Sequence, residues 1–308
     1  MAGTGLLQTF GSTGGAKEDI LDLITNITPT ETPFLSKCGV SKANGVYHIW
    51  LTDVMNATAT SGDAIIEGES ATNYALQDKT RLVNYTQISD RVFTISGTEE
   101  AVSHYGLDSQ YAYQLEKAMK ELKIKMERIL LGNTATTAGA AAVARYLKGA
   151  FAFASAASQS GATSTSALTE TNYNALCQSI YENGGNPDTC FVNGFLKRRI
   201  SAFSSNNLRT LEMANKKLTG VISVYESDFG TQEIVLDRHC AGLANADKGA
   251  GLVCEMNKFR VAYLRKPFTQ PLAIDGDRKS VQILTEYTLE QLNDYTCGRL
   301  SAFATAAV

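Results

Sequence analysis

Three clusters in this chain carry side chains that could do chemistry. His239-Cys240 is the one His/Cys neighbour pair. An imidazole beside a thiol is half of a nucleophilic pair or of a metal site, with local packing as the plainer account. Asp275-Gly276-Asp277 sets two carboxylates around a glycine, as a cation loop would. The other positions of a calcium loop are missing, and a turn between strands explains it better. Lys197-Arg198-Arg199 could touch phosphates, although a solvated helix face is the default. His48 and His104 are far from His239 in sequence, and Cys38, Cys177, Cys190, Cys240, Cys254 and Cys297 show no C-x-x-C spacing. In a chain this long that reads as buried free thiols in a reducing compartment. Dinucleotide, P-loop, nucleophile-elbow and zinc-protease motifs are all missing. No catalytic residue, metal or cofactor is assigned.

Composition points to a folded protein without a strong electrostatic partner. The 308 residues are 44% apolar and 19% charged, with 28 basic against 31 acidic side chains and a net charge of −3. That balance would not by itself draw the chain onto nucleic acid. No apolar run approaches the ~20 residues of a membrane helix. The opening Met-Ala-Gly-Thr-Gly lacks the regions of a secretory signal, so the chain is expected to stay where it is made.

The elements are organised around Ser96–Asn133. Ser96 and Thr98 followed by Glu99 and Glu100 read as a helix start. Leu115, Ala118, Met119, Leu122, Met126, Ile129 and Leu130 keep the spacing of one buried face, and Gly132-Asn133 stops it. Gly106 is the soft spot, so the helix begins either at Ser96 or near Leu107 or Asp108. Over Leu107–Leu131 it would be a strut roughly 37 Å long. Ahead of it lie a Gly/Ser/Thr-rich start, a short helix over Asp19–Ile27 and the breaker Pro29–Pro33, an arm too small for its own core. Val46–Thr52, with the single tryptophan Trp50, and Ala75–Ile95 read as the two sides of a protruding hairpin. After the strut comes an Ala/Thr/Gly/Ser tract, Thr134–Thr165, read either as a linker or as a loop pinned by Tyr146, Leu147, Phe151 and Phe153. Helices over 168–182 and 195–203 then interleave with strands at 189–192, 221–225, 234–236, 251–255, 260–264, 280–287 and 298–304. The fold class is α+β without a regular βαβ period. An arm, an unsupported hairpin and a long strut are limbs that one copy cannot cover, which implies an assembling protein.

Several segments together resemble a tailed-bacteriophage major capsid protein. They are DILDLITNITPTETP at 19–33, LTETNYNALCQSIYENGG at 168–185, NPDTCFVNGFLKRRISAF at 186–203, YESDFG at 225–230, LRKPFTQPLAIDG at 264–276 and EYTLEQLN at 286–293. The set covers most of the chain in order, although no one segment is diagnostic. The resemblance implies the capsid fold shared with herpesvirus shells and encapsulins. It has an N-terminal arm (1–45), an extended loop (46–95), a peripheral domain with a spine helix (96–164), an axial domain (165–265) and returning peripheral strands (266–308). Many members start with a long scaffolding segment. Only a short arm precedes the body here, so either scaffolding is a separate protein or this chain is the processed form, with Met1 favouring the separate protein.

The function expected is a shell subunit of a phage virion, icosahedral or prolate, assembled in a bacterial cytoplasm from hexamers and pentamers around double-stranded DNA. A portal and cement proteins are the further partners. An encapsulin-like compartment is the alternative, and a hydrolase or ligand-binding enzyme a remoter one. Candidate contacts between subunits are Phe34, Leu35, Trp50, Asp63, Glu67 and Glu69, with core packing an equal account of Trp50. Candidate lumen-facing cations are Lys117, Lys120, Lys123, Lys125 and Arg128, with helix solubility as the rival account.

Overall fold

The computed structural model describes residues 31–53, 67–68, 70, 78–104, 107, 109–154, 157–160, 167–203, 223–240 and 249–303. The helix expected over Asp19–Ile27 and most of the extended loop's distal part lie outside these residues.

Two sheets hold the chain. The four-stranded sheet runs β1 (Gly39–Lys42), β10 (Phe259–Pro271), β11 (Arg278–Gln291), β4 (Gln87–Ser96). Only β1 and β10 pair in parallel. The six-stranded sheet runs β5 (Ala157–Ser160), β12 (Cys297–Ser301), β9 (Gly251–Cys254), β6 (Thr189–Val192), β8 (Gly230–Leu236), β7 (Val224–Ser227). A separate antiparallel pair, β2 (Tyr47–Thr52) with β3 (Thr80–Tyr85), forms the hairpin.

The spine is α3, Gln110–Gly132, 23 residues and therefore about 35 Å long. Ser109 caps it by accepting from the Ala112 N–H. The signals at Ser96 are also real, but they start a separate turn, α2 (Gly97–Ala101), with Ser96 accepting from the Glu99 N–H. So of the two starts the sequence offers, the strut takes the later one, near Leu107 or Asp108, and residues 102–104 lie outside both helices. In its first half α3 buries a stripe at Ala118 and Leu122; from Met126 onward nearly every side chain is buried. That second half lies in a core with Ile283, Tyr287 and Leu289 of β11 and with Phe191 and Leu252 of the six-stranded sheet.

The six-stranded sheet is a wall between two cores. In β6, Phe191 joins the spine core, whereas Cys190 and Val192 face the other way. Period-two alternation explains why all four β6 residues are buried although the strand is short. The second core is closed by α5 (Glu170–Glu182), with Tyr173, Leu176, Cys177 and Ile180 inward as the spacing predicts, and by Leu196 and Ile200 of α6 (Gly194–Phe203). Leu147, Phe151 and Phe153, the last two on α4 (Ala150–Phe153), are buried in the spine core, so the small-residue tract is pinned rather than free; Tyr146 is exposed.

Strand connectivity differs from the expected pattern in three places. Residues 87–96 leave the hairpin and pair with β11. β10 runs unbroken through 265–266 and past Pro267, with pairing irregular between Arg265 and Phe268. β1 pairs with β10 only as far as Tyr263, so Pro267 sits on an edge where no neighbour needs its missing N–H. β11 returns to the four-stranded sheet, but β12 enters the six-stranded one.

The first turn of chain, α1 (Pro33–Lys37), is built into this core. The Phe34 ring is fully buried between Phe191 and Phe259, with centroids 5.4 and 5.8 Å away.

Two substitutions test the framework. Gly149 lies against the end of the spine, where a Cβ would stand 2.9 Å from the Asn133 backbone N and O. Gly149→Ala is expected to lower stability by about 1–3 kcal/mol in urea unfolding. Trp50→Phe, which removes an indole hydrogen bond to the Gln291 carbonyl, is expected to cost about 1–2 kcal/mol in the same assay.

Candidate assembly surfaces

The hairpin is fixed at its root by polar side chains that satisfy backbone groups. The Trp50 indole N–H donates to the Gln291 carbonyl at 2.6 Å. Asn84, fully buried, donates to the carbonyls of Leu289 (2.8 Å) and Lys148 (3.0 Å) and accepts from the Lys148 N–H at 2.7 Å. The Gln87 side-chain oxygen accepts from Asn133 Nδ2 at 3.1 Å and from the Leu147 N–H at 3.3 Å. The root of the loop, the end of the spine and the end of β11 are therefore one fixture.

Beyond that root the hairpin turns an apolar face outward. Tyr47, Ile49 and Leu51 are 48, 43 and 58% exposed, while Trp50 between them is 8% exposed. Across the pair, Tyr47 faces Tyr85 with ring centroids 5.1 Å apart, and Ile49 faces Val83. A second open face lies on the four-stranded sheet. Val281, Ile283 and Tyr287 of β11 are buried; on β4 the alternate residues Ile88 and Val92 are 47 and 49% exposed, and Phe268 of β10 is 39% exposed.

Charge on this second face is concentrated at Glu286. Its carboxylate is buried and accepts from Arg145 at 2.7 Å, from Arg265 at 2.9 Å and from the Thr86 hydroxyl at 2.9 Å. Beside it, a cleft of about 440 Å³ is lined by Ile88, Val143, Arg145 and small residues of the 138–144 loop. Two guanidiniums on one carboxylate leave a net positive rim.

The expected contact residues divide. Phe34 is corrected, and of the two accounts of Trp50 the structure takes core packing: both are buried within their own chain, Phe34 beside Phe191 and Phe259 and Trp50 donating to Gln291. Leu35 is partly buried against the same core. Glu67 is exposed next to Gly68, whose φ is +85°. Asp63 and Glu69 lie outside the described residues.

The five cations do not form one face. Lys117, Lys120 and Lys123 are exposed, Lys120 pairing with Glu116 one turn back. Lys125 and Arg128 also engage their own chain, although Arg128 is exposed. Lys125 donates to the Asp90 carbonyl at 3.2 Å and Arg128 Nε to His239 Nδ1 at 3.2 Å.

The residues that could have done chemistry are occupied structurally. Cys240 is fully buried and lies 3.3 Å from the Phe191 carbonyl, and burial pushes its thiol far above the usual range. A neutral thiol of that kind is a poor nucleophile. All six cysteines are free and buried. Asp275-Gly276-Asp277 is the turn between β10 and β11, with Gly276 at φ +74° and Asp275 paired to Arg278. In the basic triplet, Lys197 donates to the Ile234 carbonyl at 2.8 Å and Arg199 lies over the Phe195 ring, leaving Arg198 exposed. Among the described residues no group of three His, Cys, Asp or Glu side chains could hold a metal ion.

The sequence reading missed the open face on β4, Glu286 with its two arginines, and the burial of Glu127 on the spine. The first had a signal: Ile88 and Val92 share one parity and Phe93 and Ile95 the other.

Known proteins share this architecture. A capsid asymmetric unit of Cyanophage A-1(L) superposes with a TM-score of 0.69 at 14% identity, covering 97% of this chain and 100% of that one. A native GTA particle capsid gives 0.67 at 11%, covering 97% and 99%. A holo encapsulin complex from Synechococcus elongatus PCC 7942 gives 0.63 at 11%, covering 98% of both. The fold is therefore that of phage and encapsulin shell proteins. In sequence, the major capsid protein of Escherichia phage Phieco32 is 33% identical over 123 residues, 40% of this chain. The match spans about a third of that relative's length (35%). The family model of the SU10 major capsid protein matches residues 4–304, and the chain belongs to that family.

Proposed function

We propose that this chain is the major capsid subunit of a tailed phage. Many copies assemble through hexamers and pentamers into an icosahedral or prolate head enclosing double-stranded DNA. The family match over nearly the whole chain supports this, and one structural observation carries it: a rigidly rooted hairpin presents Tyr47, Ile49 and Leu51 to solvent. A two-stranded hairpin is marginal alone and gains stability when a neighbour covers its apolar face. The open face at Ile88, Val92 and Phe268 is a second surface for a neighbouring copy. The work is mechanical, and each contact can be weak because equivalent ones act together around a closed shell. Encapsulin-like assembly uses the same fold, but the family match favours the phage reading.

In this reading 1–45 is the arm, 46–95 the extended loop, 96–164 the peripheral domain and 165–265 the axial domain, with peripheral strands returning after 266. Lys117, Lys120 and Lys123 are the cations left for weak, non-specific contact with packaged DNA. A separate scaffolding protein, a portal and cement proteins complete the set, and assembly takes place in the host cytoplasm.

Two experiments test this. Negative-stain electron microscopy of the purified chain is expected to show closed shells. Ile49→Asp with Leu51→Asp is expected to abolish them while the subunit's unfolding free energy stays within about 1 kcal/mol of the parent, since both side chains are exposed. Normal shells from the double variant would contradict the reading. Replacing Lys117, Lys120 and Lys123 by Gln is expected to leave empty shells intact and to reduce the fraction of DNA-filled heads in a sucrose gradient.

A further inference from the structure

A buried polar cluster lies at the heart of the spine core, away from both open faces. Glu127 is fully buried, and its two oxygens accept the backbone N–H groups of Phe34 and Leu35 at 2.7 Å each. Thr32, at the head of α1, makes no side-chain cap, so the Glu127 carboxylate supplies the acceptors that the first turn lacks. Asp237 follows β8 and is also fully buried. Its Oδ1 accepts from the His239 N–H at 2.7 Å, whereas its Oδ2 is buried with no donor.

The two buried carboxyl groups lie close enough to perturb each other. Two bare carboxylates side by side in an apolar core repel, so one proton stays between them. The pair shares it: both Glu127 oxygens also accept a backbone N–H, and Asp237 Oδ2 has no other donor.

We propose that Glu127 and Asp237 form a one-proton latch that seats Pro33–Cys38 on the spine helix, and that loss of the proton loosens this segment.

The surrounding groups leave the pair as the titrating element. From the spine, Arg128 donates to His239 Nδ1; burial first, then Arg128 and Arg238, hold that imidazole neutral. From α1 and its end, Lys37 pairs with Glu233 at the surface, and the Cys38 thiol is pushed up by burial and by Glu127. After β8, Arg238 reaches outward to Glu31 at 3.9 Å, and the Cys240 thiol is pushed up by burial. Burial, with Asp237 second, lifts Glu127 from its ordinary 4.5 to about 8, against the pull of the two N–H groups. A raised carboxyl favours the folded state while it keeps its proton. Seating is therefore strongest near and below pH 4.5, weakens as pH rises from there, and is weakest once the pair is stripped near pH 8.

Amide hydrogen exchange of the full chain, corrected for intrinsic rates, tests this at Phe34 and Leu35. Their protection is expected to fall up to about tenfold per pH unit between about pH 5 and 8 and then level off. In Asp237→Asn the side-chain amide donates to Glu127 with no proton to lose, and Oδ1 still accepts from His239. Protection there is expected to stay high and flat with pH. Unchanged protection from pH 5 to 9 in the parent overturns the proposal, as does an Asp237→Asn variant that keeps the parental slope. If that variant fails to fold, Glu127→Gln serves. It should lose the slope and leave one of the two amides fast at every pH, and a retained slope overturns the latch.

Discussion

Closing the second half of α3 on all sides is the constraint that the rest of the fold answers. From Met126 to Gly132 every residue of the helix but Arg128 is buried, yet its sequence puts a carboxylate there. An unpaired buried carboxylate would cost several kcal/mol. The chain meets that cost from outside the helix, with the backbone of Phe34 and Leu35 at the start and the Asp237 side chain after β8. One polar residue in the wrong place for an amphipathic helix thus ties together segments 93 and 110 positions away. Phe34 is delivered to the core by the same geometry, and burying its ring contributes about 2–3 kcal/mol.

The same logic runs through the hairpin root. Trp50, Asn84 and Gln87 are long or polar side chains that an apolar core would exclude. Each is kept by a backbone group that has no strand partner: the carbonyls of Gln291, Leu289 and Lys148, and the N–H of Leu147. Because the bonds are made to backbone, they fix position rather than only adding energy. A limb rooted this way can project without unfolding its base.

Much of this was legible in the sequence where a single period dominated. The inward face of α5 and the existence of the β6 strand follow from the sequence alone. Two helix starts are legible, at Ser96 and near Leu107 or Asp108, and only packing decides that the long helix takes the second, capped by Ser109. The strand at 260–264 is legible, but its continuation to Pro271 is not, because Pro267 reads as a breaker; it is tolerated because β1 ends at Lys42, a fact about register rather than composition. Spacing alone leaves Trp50 open between contact and core, and leaves Phe34 as a contact candidate. Their partners, Gln291 for one and Phe191 and Phe259 for the other, lie more than 150 residues away. Long-range satisfaction of that kind leaves no local trace.

What the fold leaves uncovered follows from what it holds so firmly. The apolar alternation of β2 and β4 has two parities, and the subunit's own core uses only one of each: Trp50 on β2, Ile95 on β4. A strand with both parities apolar is built for cover on both sides. For a monomer, leaving Ile49, Leu51, Ile88 and Val92 half exposed gives up stabilisation that burial would add, at about 25 cal/mol per Å². In the proposed assembly the same residues are the surface that a neighbouring copy covers. Their modest individual worth suits a closed shell, where each contact must be weak enough to correct its errors and numerous enough to hold.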